Sequence, residues 1–123
     1  MSAVISPVAG AVGAEVDGVD LRDVDAATAE TLRLALATHG VLFFRAQHLS
    51  DDEHAVAAEV FGPTELFEMA PVAEHPLVHV VSSSGLPNRH GGATTWHSDA
   101  TWRECPPRGS MLRAVEVPDF GGD

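Results

Sequence analysis

Two side chains placed two residues apart, His97 and Asp99, are the part of this sequence best equipped for chemistry. In an extended strand, residues i and i+2 project from the same face, so the imidazole and the carboxylate would point together. A neutral imidazole and a carboxylate are two thirds of a facial metal site. A second His from elsewhere would complete the arrangement that holds non-heme Fe(II) and leaves the opposite positions open for substrate and dioxygen. The pair alone carries limited weight, because seven His and nine Asp in 123 residues give a chance His-x-Asp about half the time. On the alternative reading, His97 is a core histidine and Asp99 a turn residue.

The other metal-binding or nucleophilic types are less well placed. His39 falls in the last turn of an expected helix, where a cation complements the dipole. His54 lies in the polar first turn of another, where a solvated side chain is expected. His79 and His90 are rival ligands without a carboxylate two residues away, and neither they nor His75 supplies a convincing third donor. Cys105 is a lone thiol beside Pro106, with no His that would activate it.

The elements that must position the pair follow from local signals. Gly13 to Val19 reads as a strand running into a turn, its glycines lacking the spacing of a phosphate cradle. Asp25 is a good N-cap for a helix over 26–39, with Leu32, Ala35 and Leu36 on one stripe and Gly40 closing it. Residues 41–44 form a short apolar run that suits a strand buried on both faces. Ser50 and Glu53 make a capping box opening a helix that runs to about Phe61 and ends at Gly62-Pro63. Residues 63–76 show no period and read as a loop or part of a substrate wall. Residues 77–81 are strand-like by β-branched content; residues 82–92 are rich in turn formers and suit a lid beside the metal pair. After a Pro turn, residues 110–117 read as a further strand.

Composition bounds the partners. The length suits one domain, and 45% hydrophobic residues allow a packed core. A net charge of −11 repels phosphate backbones and anionic membrane surfaces, so neither nucleic acid nor membrane is expected. One Cys and no apolar run of signal or membrane-spanning length fit a reducing cytoplasm. Association with copies of itself stays open.

The flanks of the pair sharpen the reading. Trp96 before it, Thr101-Trp102 after it, the run Pro106-Pro107-Arg108-Gly109-Ser110 and the closing residues 115–123 together resemble the taurine dioxygenase family of Fe(II)- and 2-oxoglutarate-dependent oxygenases. The pattern over 13–19 recurs in that family as well. This resemblance implies an α+β fold in which residues 1–123 are a single incomplete catalytic domain. They would be the N-terminal part of a double-stranded β-helix, jelly-roll-like, with flanking helices. It implies that His97 and Asp99 are Fe(II) ligands, that 2-oxoglutarate chelates the iron, and that Trp102 lines the substrate pocket. The implied reaction couples oxidative decarboxylation of 2-oxoglutarate by O2 to hydroxylation of a small organic substrate.

Two departures from the family pattern matter. Phe67, Ala70 and Ala93 stand where taurine-specific members carry a His, a Tyr and an Asn for the sulfonate, which implies a different, more apolar substrate. The family also continues beyond Asp123 with a Thr that contacts 2-oxoglutarate, a distal His ligand and an Arg for the cosubstrate carboxylate. The cofactor-binding residues are therefore expected in that further part. A competing reading is a non-catalytic metal-binding or interaction module completed by a partner chain.

Overall fold

The computed structural model describes residues 3–66, 75–81, 96–117 and 119–120. Two short strands open the chain, β1 (Val4–Pro7) and β2 (Ala14–Asp17), paired antiparallel with Ile5 opposite Val16. Gly13 makes the close return between them at φ 100°, where an added Cβ would stand 2.9 Å from Val8. Helix α1 (Ala26–His39) then crosses to β3 (Leu42–Phe44), which runs parallel to β2 and gives the sheet order β1-β2-β3. A parallel pair of neighbouring strands needs such a crossover, and the helix supplies it.

The local signals for α1 are met at both ends. Asp25 accepts from the Thr28 amide at 2.7 Å, and the Gly40 amide donates to the Leu36 carbonyl at 2.8 Å with φ 71°. Helix α2 (Asp51–Ala58) begins with the expected capping box: Glu53 N–H donates to Ser50 Oγ, and Ser50 N–H donates to the Glu53 carboxylate. Its last part tightens into a 3₁₀ turn at Glu59–Phe61 before Gly62.

The core gathers between the sheet, α1 and α2. Val16, Leu21, Leu32, Leu49 and Ala57 are buried together, with Ile5, Leu42, Phe44, Phe61 and Met111 packed around them. Leu32 is fully enclosed, at 0% exposure, and the Phe44 and Phe61 rings meet edge to face with centroids 6.4 Å apart. Polar ties lock the layers. Arg33 donates to the Val60 carbonyl at 2.7 Å, and Gln47 accepts from Leu21 N–H while donating to the Val19 carbonyl.

The run at 41–44 is not buried on both faces: Phe43, beneath Arg45, is 41% exposed among the described residues. Residues 77–81 contribute one bridge residue, His79, rather than a strand. Residues 110–117 form no strand either. Met111 and Arg113 turn inward while Ser110 and Leu112 face out, so the period of two survives over 110–113; a strand also needs a hydrogen-bonded neighbour, and none is paired here among the described residues. The lid at 82–92, with His90, lies outside the described residues.

His54 is not the solvated side chain that its place in the first turn of α2 suggests. Its two ring nitrogens are shut off from solvent, with Met111 and Arg113, far along the chain, close enough to act on the ring. Burial pushes its pKa below the ordinary value, and the nearby Arg113 guanidinium adds to this, against opposing effects of the Met111 backbone and Asp51. The native imidazole therefore binds a proton less readily than the unfolded one. Stability should fall as pH drops below about 6.5, where the unfolded chain takes up protons that the native state resists. Asp20, Asp25 and Glu53 have lowered pKa values, so their stabilisation is present above the unfolded carboxylate pKa and lost only at more acidic pH, as pH falls through their folded values. Urea midpoints at about pH 7 and about pH 5.5 should differ less in His54→Leu than in the parent. Equal losses in both would place the acid sensitivity elsewhere.

Candidate metal centre

His97 and Asp99 come together at the start of a turn and not along a strand. Residues 96–98 carry no regular secondary structure, and a turn begins at Asp99. Ala100 carries that turn at φ 50°, the left-handed region where a Cβ is crowded, and it is held there by near-complete burial. Arg103 N–H closes it onto the Ala100 carbonyl at 3.0 Å. The turn residue and the metal-ligand candidate are thus the same Asp99.

The resulting geometry suits a shared cation. His97 Nε2 and Asp99 Oδ1 stand 3.4 Å apart, longer than a good N–H···O hydrogen bond. Two donors each about 2.1 Å from one ion lie roughly 3.0 Å apart at a right angle and roughly 3.4 Å apart at a tetrahedral angle. Both side chains are about half exposed, so a ligand can reach them. The other carboxylate oxygen, Oδ2, accepts from Ser110 Oγ at 2.8 Å.

A cleft of about 480 Å³ opens at this point, with His97, Ser98, Asp99 and Thr101 on one wall and residues 106–110 on the other. Trp102 lies one step past this wall and is 67% exposed; it is not among the described residues lining the cleft. No group of three metal-binding side chains occurs among the described residues. Phe67, Ala70 and Ala93 lie outside the described residues.

Three contacts fasten this loop to the rest of the chain. Arg103 forms an ion pair with Glu65, just beyond α2. Arg113 donates to the Leu49 carbonyl and to Asp51 at the start of α2. Met111 packs against the core. None of the three was picked out from the sequence. Each joins residues dozens of positions apart, and the signal that was present, an Arg and a Met inside an otherwise strand-like run, does not name its partner.

The residues present therefore fit two positions of a metal site. Known proteins bear on what that site is. The family described as taurine catabolism dioxygenase TauD, TfdA family matches residues 5–123. The chain is 42% identical to the alpha-ketoglutarate-dependent sulfate ester dioxygenase of Pseudomonas putida over 97% of its own length and 39% of that protein. It is 37% identical to an alkylsulfatase of Acinetobacter baylyi, covering 93% of itself and 36% of the relative. Among solved structures, a taurine dioxygenase from Burkholderia xenovorans aligns over 98% of this chain and 43% of its own, at 35% identity and a TM-score of 0.79. The chain thus spans about two fifths of the length of the relatives it matches. No helix among the described residues is long and apolar enough to cross a membrane.

Proposed function

Because the chain belongs to the taurine catabolism dioxygenase TauD, TfdA family, we propose that it is the N-terminal portion of a 2-oxoglutarate-dependent dioxygenase whose Fe(II) is held by His97 and Asp99. The observation that carries this reading is the convergence of His97 Nε2 and Asp99 Oδ1 at the mouth of one cleft. Fe(II) and 2-oxoglutarate, when bound, would supply the oxidising power for attack on an unactivated C–H bond. The chain's own residues hold the metal and shape the cleft.

The larger architecture belongs to the same proposal. Residues 1–123 are one part of a single catalytic domain, a double-stranded β-helix completed by the remaining length that the relatives possess. Leu112, Val115 and Phe120, each more than four-fifths exposed, are apolar side chains such strands would cover. Cosubstrate contacts and the third metal ligand would come from that remainder. Trp102 is proposed to form part of the substrate wall once the domain is complete. The acidic charge and the single exposed thiol at Cys105 suit a cytoplasmic enzyme.

Two relatives whose names carry sulfate esters direct the substrate proposal to alkyl sulfates. Hydroxylation of the carbon bearing the sulfate ester oxygen yields a hemiacetal-like product, which collapses to an aldehyde, sulfate and a proton. One O2 and one 2-oxoglutarate are consumed per turnover, with succinate and CO2 formed. The full-length protein should therefore release sulfate and aldehyde in step with succinate from an alkyl sulfate, and act poorly on taurine. In Trp102→Ala the same assay should show succinate outrunning aldehyde, because a displacement of about 1 Å can cost on the order of a hundredfold in rate. Efficient taurine turnover, or no succinate with any alkyl sulfate, would overturn the substrate assignment; unchanged coupling in Trp102→Ala would overturn its role.

A further inference from the structure

We infer that Ser110 is a positioning residue that decides which oxygen of Asp99 is offered to the metal, an inference that rests on His97 and Asp99 being the metal ligands. Ser110 Oγ donates to Asp99 Oδ2 at 2.8 Å, while Oδ1 faces His97 Nε2 at 3.4 Å. A carboxylate left alone can rotate, or can place both oxygens on one ion. A donor fixed on Oδ2 opposes both and keeps Asp99 a one-oxygen ligand, so a coordination position that the second oxygen would occupy stays open.

The serine can do this because its own segment is held on both sides. Pro106 and Pro107 restrict the backbone leading to it. Directly after it, Met111 packs into the core and Arg113 is bonded to the Leu49 carbonyl and to Asp51. The hydroxyl is therefore anchored to the start of α2, eleven residues along the chain from the carboxylate that it orients. In an exposed surface pair, water would replace such a bond with little loss of stability. Its consequence lies in the orientation of the ligand, which water does not provide.

The test uses the full-length protein and the metal alone. Fe(II) affinity is measured anaerobically by equilibrium dialysis, and the visible spectrum is recorded on protein saturated with Co(II). Ser110→Ala should bind Fe(II) about 10- to 100-fold more weakly and show altered Co(II) bands, as loss of a ligand's hydrogen-bonding partner commonly does. Ser110→Thr, which keeps the hydroxyl, should restore both. Ser110→Val, of the same shape as Thr without the hydroxyl, provides the contrast should the alanine variant not fold. Wild-type affinity in the variants lacking the hydroxyl, or weaker binding with an unchanged Co(II) spectrum, would overturn the inference. Asp99→Ala separates the two levels. If it abolishes Fe(II) binding while loss of the Ser110 hydroxyl has no effect, only the role of Ser110 fails; if Asp99→Ala binds as the parent does, the metal assignment fails with it.

Discussion

His97→Ala in the full-length protein is expected to lose bound Fe(II) and, with it, all succinate formation from 2-oxoglutarate. A ligand's hydrogen-bonding partner is worth about 10- to 100-fold in metal affinity, so removing the ligand itself should cost more than about a hundredfold. Water filling the vacated position contributes no chelation, and the two protein donors that remain cannot hold the ion at working concentrations. The side chains of His97 and Asp99 are about half exposed and outside the core cluster, so the circular dichroism spectrum and melting curve should stay close to those of the parent. Iron is quantified on the purified variant alongside turnover. Stoichiometric iron with normal succinate production would remove His97 from the site.

Leu32→Ala carries the largest expected loss of stability. Leu32 is the largest fully buried side chain among the described residues, and it meets the cluster of Val16, Leu21, Leu49 and Ala57 from the inward stripe of α1. Truncating such a leucine removes the transfer free energy of its methyl groups and leaves a cavity, together about 2 to 5 kcal/mol. Against a total stability of about 5 to 15 kcal/mol for an ordinary domain, that is a large share. Urea denaturation measures it. The metal site should respond only through unfolding: at low temperature and without denaturant, the folded fraction of Leu32→Ala should bind Fe(II) as the parent does. A change of under about 1 kcal/mol would mean that the packing around α1 relaxes to fill the space.

What the sequence determined on its own are the features whose causes lie within a few residues. Asp25, Ser50, Glu53 and Gly40 act on backbone groups three or four positions away, which is why both helix starts and the end of α1 were legible without a fold. The family resemblance was legible too, since the flanks of His97 and Asp99 that carry it depend on residue type alone. Tertiary structure alone decided how these pieces meet. Phe43 is exposed because its face of the sheet is only partly covered, and the His54 ring nitrogens are enclosed beside Met111 and Arg113, in a helix turn that looks solvated in isolation. Residues 110–117 have strand-like content yet join no sheet among the described residues, because a strand is a property of two segments side by side and its partner is not named by its own side chains. The same holds at the candidate metal centre: His97 and Asp99 converge beside a left-handed turn at buried Ala100, under a hydroxyl brought from Ser110. Those contacts arise from chain closure over distance, which local pattern does not encode.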